Sequence, residues 1–248
     1  MVNRTVIRET ASRLLEGLFP ETCCLCRLPA ADRRPLCRPC HADLRANDSC
    51  CVRCAIPLPP AAGAESPRCC GACLRAPPPF RRVVAPWLYS EELAYLIHRW
   101  KYEGERRLTA LLADLWLQRV PEPGGVDLMV PVPLHWRRLW RRGFNQSGLL
   151  CERLRRASPA LAAVPIDHRL VHRQRATAPQ SGLSAARRAG NLRRAFTVQG
   201  ACDNLRIAIV DDVLTTGATA AALADALREA GADHVEVWCV ARTPAPGD

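Results

Sequence analysis

Arg206-Ile-Ala-Ile-Val-Asp-Asp-Val-Leu-Thr-Thr-Gly-Ala-Thr219 is the stretch whose reading decides the fold. Arg206 to Val210 is short, apolar and β-branched, which predicts a buried strand. Two adjacent carboxylates follow, and then a Thr- and Gly-rich turn opens a helix expected over 219–230, ended by Gly231. At the carboxyl end of a parallel strand, Asp211 and Asp212 can accept hydrogen bonds from vicinal ribose hydroxyls, and ionised acceptors make such bonds strong. Gly217 lets the backbone come close to a phosphate. The hydroxyls of Thr215, Thr216 and Thr219, with the free N–H groups of the helix start, can surround its oxygens. Val213, Leu214 and Ala218 complete this ribose-phosphate segment. The pattern GxxxxGK[ST] is absent from it, so a triphosphate P-loop is not supported. The competing reading of the same residues is a helix-capping turn.

Working outward, Val235 to Val240 and Leu128 to Val132 also predict short apolar strands, and Val83 to Tyr89 another. Helical periodicity covers 91–117, interrupted near Gly104, and 146–156. Strands alternating with helices predict an α/β fold with a mainly parallel sheet flanked by helices. Upstream, Val6, Ile7, Leu14, Leu15, Leu18 and Phe19 predict an amphipathic helix within 1–20, and Pro77, Pro78 and Pro79 form a stiff joint. The expected division is therefore 1–20, a cysteine-rich domain over 21–79, and the α/β domain over 80–248.

Eleven of the 14 cysteines fall between Cys23 and Cys73. Eight of them form four CxxC knuckles: Cys23 and Cys26, Cys37 and Cys40, Cys51 and Cys54, Cys70 and Cys73. Two knuckles complete the tetrahedral four-sulfur shell of a structural Zn²⁺, so two ions are expected. A segment this poor in large apolar side chains would draw its folding energy from the metal. Cys24, Cys50 and Cys69 sit beside the proposed ligands and could replace them, and His41 is a further candidate. A redox role for the CxxC pairs or a disulfide scaffold is the alternative.

The segment from Met1 to Phe19 carries Arg4, Arg8, Glu9, Arg13 and Glu16, so no secretory h-region is legible in it, and no apolar stretch approaches the length of a membrane span. A soluble, cytoplasmic protein without membrane insertion is expected. Of the formal charge of +11, the whole excess lies between Val130 and Gly200, where 14 arginines face only Glu152 and Asp167. Such a concentration points to a polyanion, either a pyrophosphate-bearing small molecule or a nucleic acid backbone. Trp136, Trp140 and Phe144 interleave with Arg137, Arg138, Arg141 and Arg142, a composition suited to stacking on single-stranded DNA, although aromatics at this spacing commonly serve as core or loop anchors.

Ile209 to Thr219 resembles the diphosphate-ribose signature of type I phosphoribosyltransferases. Together with Val130-Pro-Val-Pro133, Arg141-Arg-Gly-Phe-Asn-Gln-Ser147, Arg175-Ala-Thr-Ala-Pro-Gln180 and 187–196, it resembles the ComF family, which includes competence protein F and GntX-type DNA utilisation proteins. The resemblance implies a phosphoribosyltransferase fold preceded by a small zinc-ribbon domain, and phosphoribosyl pyrophosphate with Mg²⁺ as ligand. It implies that Asp211 and Asp212 bind ribose hydroxyls, that Thr215 to Thr219 hold the 5'-phosphate, and that the loop after Pro133 faces pyrophosphate, with Arg137 and Arg138 as contacts. Residues 172–190 would be an arginine-bearing loop that closes over the ligand, with Arg173, Arg175 and Gln180 as contacts. It further implies DNA uptake or use in natural competence, by pentosyl transfer or by binding single-stranded DNA or a partner such as a DNA-uptake helicase.

Overall fold

The computed structural model describes residues 22–30, 35–59, 68–173 and 195–245. The helix expected within 1–20, and the candidate contacts Arg175 and Gln180, lie outside the described residues. The chain forms two compact units, Met1–Leu44 and Arg45–Asp248.

In the smaller unit, Cys23 N–H donates to the Leu28 carbonyl and Arg27 N–H to that of Cys23, closing a turn in which Arg27 adopts φ 63°. Cys37 then precedes a short helix, α1 (Arg38–Ala42). The larger unit begins with the same device. Cys51 N–H donates to Ile56, Ala55 N–H donates to Cys51, Ala55 adopts φ 53°, and Cys70 precedes helix α2 (Gly71–Arg75). Two copies of one knuckle-and-helix motif therefore occur, the second lengthened by the Pro- and Ala-rich insert before Arg68. The second copy clusters with the α/β layer rather than with residues 22–44.

The α/β layer runs β1 (Arg82–Val84), β2 (Trp87–Leu88), α3 (Glu91–Tyr102), α4 (Leu108–Arg119), β3 (Leu128–Pro131), α5 (Trp136–Arg142), α6 (Gln146–Ala157), β4 (Val171–Arg173), β5 (Phe196–Val198), β6 (Arg206–Leu214), α7 (Ala218–Glu229) and β7 (His234–Arg242). The main sheet has the order β1-β7-β6-β3, with β2 also on β7, and every pairing in it is parallel. This is the mainly parallel α/β architecture expected from the sequence. The strand expected over 83–89 is divided at Pro86, which has no N–H to donate to a ladder. Strands β4 and β5 form a separate antiparallel pair that sequence periodicity did not predict.

Central strands β6 and β7 are buried on both faces, so they read as continuous apolar runs. On one face Ile207, Ile209, Val235 and Val237 share a core with Leu223 and Leu227 of α7. On the other, Trp238 packs against Trp116 of α4 with ring centroids 5.4 Å apart. Successive residues of a strand point to opposite faces, so this pattern covers the sheet with helices on both sides. The carboxyl ends of β3 and β6 form a rim of the sheet, beyond which Thr215 and Thr216 are exposed.

Candidate functional site

Strand β6 continues past Val210 through both aspartates to Leu214, because Asp211, Val213 and Leu214 remain in register with Cys239, Ala241 and Arg242 of β7. The carboxylates therefore stand on the sheet itself and not in a following loop. Asp212 is buried, 5 % exposed, while Asp211 is half-buried at the rim. Thr215 and Thr216 are exposed beyond the strand. Gly217, at φ 77°, precedes the first turn of α7, a left-handed conformation that would strain any residue with a Cβ. Ala218 and Thr219 begin that helix; the Ala218 N–H donates to Thr216 Oγ1 at 3.4 Å, and the N–H groups that follow in the first turn have no acceptor within the helix.

The two carboxylates are held differently. Asp212 accepts from Lys101 Nζ at 2.7 Å, from Gln146 Nε2 at 2.9 Å and from the N–H of Val213 at 2.7 Å. Asp211 accepts from the Ser147 hydroxyl at 3.2 Å and from the N–H of Asp212 at 2.9 Å. Burial, and then the neighbouring Asp212 carboxylate, push the Asp211 pKa up to about 7, against the pull of the backbone N–H of Asp212, Lys101 and Ser147. Asp212 takes three protein donors and Asp211 two. Asp211 is the carboxylate left facing the rim.

Lys101, Gln146 and Ser147 are site residues that reading motif chemistry alone did not find. The segment 141–147 now has a physical account. Gly143 at φ 73° ends α5, buried Phe144 anchors the turn, and Asn145 caps α6 by accepting from Ser147 N–H while donating to the Val132 carbonyl. That geometry delivers Gln146 and Ser147 to the two aspartates. Gln146 also accepts from Arg142 Nη1 at 3.1 Å, extending the network toward the basic helix α5. Lys101 is delivered by α3, which is fixed by buried Trp100 donating to Thr109 Oγ1 at 2.9 Å.

Arg137 and Arg138 lie exposed on α5, directly after β3 and its Pro133 loop. Arg173 ends β4 and packs over the Phe196 ring at 5.6 Å, with burial and the nearby Arg138 lowering its pKa and Asp211 raising it. Arg138, Arg173 and Asp211 thus share one electrostatic neighbourhood. Of the aromatic trio, Trp136 is 64 % and Trp140 86 % exposed, whereas Phe144 is buried and unavailable for stacking.

Two sets of four cysteines converge: Cys23, Cys26, Cys37 and Cys40, and Cys51, Cys54, Cys70 and Cys73. Within each set the sulfurs lie within 4.8 Å of one another. A tetrahedral shell with Zn–S bonds of about 2.3 Å needs S···S separations of about 3.8 Å. The Cys26–Cys37 and Cys54–Cys70 pairs both stand at 3.7 Å. Although burial opposes it, the N–H groups of Cys54, Cys70 and Arg53 pull the Cys51 thiol down to about 6, whereas burial and then Cys54 and Cys70 raise that of Cys73. Four thiolates cannot coexist there without a cation, so each set could hold one zinc ion. Cys24 and Cys50 belong to neither set, nor does Cys69, although its Sγ lies 3.9 Å from that of Cys51.

No helix among the described residues is long and apolar enough to cross a membrane. No family model matches the chain. The chain is 41 % identical over 234 residues to DNA utilization protein YhgH of Salmonella typhi and 39 % identical over 231 residues to that of Escherichia coli K12, covering 90 % of this chain and 98 % of each relative. It is 35 % identical over 182 residues to Competence protein F of Haemophilus influenzae, covering 70 % of this chain and 78 % of that protein. Among solved structures, a purine phosphoribosyltransferase from Pyrococcus horikoshii aligns at a TM-score of 0.30 and 15 % identity, over 64 % of this chain and 77 % of the other. With two curated relatives near 40 % identity spanned almost end to end, the chain belongs to the ComF family of competence protein F and DNA utilisation proteins.

Proposed function

We propose that the chain binds phosphoribosyl pyrophosphate at the carboxyl end of β6 and serves DNA uptake or utilisation, with 80–248 as a phosphoribosyltransferase-type domain and 21–79 as its double zinc ribbon. The observation that carries this reading is the placement of Asp211, and behind it Asp212, beside a Thr- and Gly-bearing turn that opens α7. In this reading Asp211 accepts from a ribose hydroxyl and Asp212 holds the pocket's charge and shape through Lys101 and Gln146. The turn 215–219 takes the 5'-phosphate, and Arg137, Arg138 and Arg173, with Arg175 and Gln180, face the pyrophosphate. The chemistry such a pocket serves is displacement of pyrophosphate from C1 through an oxocarbenium-like transition state, in which stabilising the leaving charge dominates.

The test is calorimetric titration of the magnesium complex of phosphoribosyl pyrophosphate into the zinc-loaded protein, beside the Asp211→Asn, Asp212→Asn double variant. Wild type is expected to bind and the double variant to bind at least about tenfold more weakly, since charge-assisted hydrogen bonds are worth roughly 1.5–3 kcal/mol each. Equal affinity would reject the site. The titration also carries a pH sign. Asp211, with its pKa at about 7, accepts best when ionised, so affinity should strengthen as pH rises through 7, and the single variant Asp211→Asn should flatten that rise. Stability runs the other way. Because the folded pKa exceeds the unfolded value, the contribution of Asp211 is full below the unfolded pKa and is lost as pH rises through about 7.

A second reading, single-stranded DNA binding, is favoured by α5, where exposed Trp136 and Trp140 stand among exposed Arg137, Arg138 and Arg141. Trp140→Ala should weaken binding of an oligothymidylate by roughly 1–3 kcal/mol, the range of a lost base stack. Affinity should also fall with salt at a logarithmic slope of about −0.7 per phosphate contacted. Fluorescence anisotropy at several salt concentrations reads both, and salt-independent binding would exclude the reading.

A further inference from the structure

Arg242 at the end of β7 is 5 % exposed, and its four side-chain hydrogen bonds all end on main-chain carbonyl oxygens. Nη1 donates to Leu214 at 3.0 Å, to Thr215, and to Thr243 at 2.7 Å. Nε reaches in the other direction, to the carbonyl of Cys54 at 3.0 Å. One buried guanidinium therefore ties the entry of the phosphate turn to a residue of the second four-cysteine set.

The grip on that knuckle is wider than one bond. The carbonyls of three consecutive residues, Arg53, Cys54 and Ala55, are taken respectively by the N–H of Val83 at 2.8 Å, by Arg242 Nε, and by Asn47 Nδ2 at 2.9 Å. Asn47 donates as well to the Ala85 carbonyl at 3.0 Å, and Ala55 is part of the main core. These carbonyls are presented together only while the turn from Cys51 to Ala55 keeps its shape, with Ala55 at φ 53°. A metal held by Cys51 and Cys54 would impose that shape.

We propose that the second four-cysteine site is the foundation of the phosphate turn: a metal bound there orders carbonyls 53–55, and Arg242 passes that order to Leu214 and Thr215, so that ligand affinity depends on occupancy of this site. Arg242 acts as a positioning residue, with no contact to ligand. The inference rests on the ribose-phosphate reading for its ligand arm and stands without it for its metal arm. Linkage makes the effect reciprocal, so ligand must tighten metal binding at this site by the factor by which metal tightens ligand.

The test compares four zinc-loaded chains: wild type, Cys70→Ser with Cys73→Ser, Cys37→Ser with Cys40→Ser, and Arg242→Lys. Hydrogen exchange of amides 214–219 is read without ligand, and affinity for the magnesium complex of phosphoribosyl pyrophosphate is read by calorimetry. Disabling the second site is expected to speed exchange in 214–219 and weaken ligand each at least about tenfold, while disabling the first leaves both within about twofold. Arg242→Lys keeps a charge but not the rigid fork that reaches both Cys54 and the turn, so it should speed exchange while both zinc ions stay bound. Unchanged exchange in Arg242→Lys, or equal effects from the two cysteine variants, would overturn the proposal. Should the Cys70→Ser, Cys73→Ser chain lose protection throughout β3 and β6 as well, Arg242→Lys alone decides. If wild type binds no ligand, the ribose-phosphate reading fails while the exchange measurements still judge the coupling.

Discussion

Lys101→Met is expected to lower stability by about 3 kcal/mol, which for a unit of this size means a Tm roughly 6–12 °C lower by scanning calorimetry. Lys101 is the chain's one lysine, and it meets Asp212 at 2.7 Å where the lysine side chain is 17 % and the carboxylate 6 % exposed. Without the ammonium, Asp212 keeps Gln146 and its own backbone donor but loses the only countercharge placed against it by an ion pair among the described residues. Asp211 stands next to it, its own pKa already raised by burial and by Asp212. Two carboxylates would then share a poorly hydrated rim, and one would be driven to protonate. The distinguishing variant is Lys101→Met combined with Asp212→Asn. Removing the stranded charge should recover about half of the lost stability, because much of the cost of breaking a buried pair belongs to the partner left behind. A single variant within about 2 °C of wild type would show that Asp212 needs no lysine.

The larger effect is expected from metal removal. Metal analysis should find two zinc ions per chain, one for each four-cysteine set, and Cys51→Ser should reduce this to one. Structural zinc contributes on the order of 10 kcal/mol to folding of small cysteine modules. A strong chelator is therefore expected to abolish the ordered conformation of both knuckle-and-helix motifs, read as loss of amide protection across 22–30, 35–44 and 51–57. The pH sign follows from the ligand chemistry, since zinc binds thiolates and releases their protons. Acidification should release zinc. A chain that keeps its protection after full chelation would show that hydrogen bonds such as Cys51 N–H to Ile56 and Ala55 N–H to Cys51 suffice to hold the turns.

The division of labour between the aspartates bears on both experiments. Adjacent residues of a strand point to opposite faces, so Asp211 and Asp212 cannot do the same work once the strand continues through them. Asp212 turns toward the layer formed by α3 and α6, where Lys101 and Gln146 wait, while Asp211 keeps the rim with Ser147. Substitution at Asp212 should therefore register in stability and at Asp211 in ligand affinity.

Much of this was legible in the residues. Ile207 to Val210 is apolar on both faces because the strand is central and parallel, and the carboxylates and Thr/Gly turn after it are a local pattern readable from the residues alone. Cys-x-x-Cys spacing is likewise a local property: two thiols with two residues between them reach one ion whatever surrounds them, so both four-cysteine sets could be anticipated by number. What only the tertiary structure decided are partnerships across long stretches of chain. Lys101 and Asp212 are 111 positions apart and Cys54 and Arg242 are 188 apart. Strand β6 ran on through the aspartates because β7 offered register partners up to Arg242, and Phe144 left the stacking trio because the turn into α6 buried it. Periodicity and spacing report what a residue can do within a few turns of its own backbone. Which buried charge finds which partner depends on the sheet order that brings α3, α6 and the second knuckle to the ends of β6 and β7, and no local pattern encodes that order.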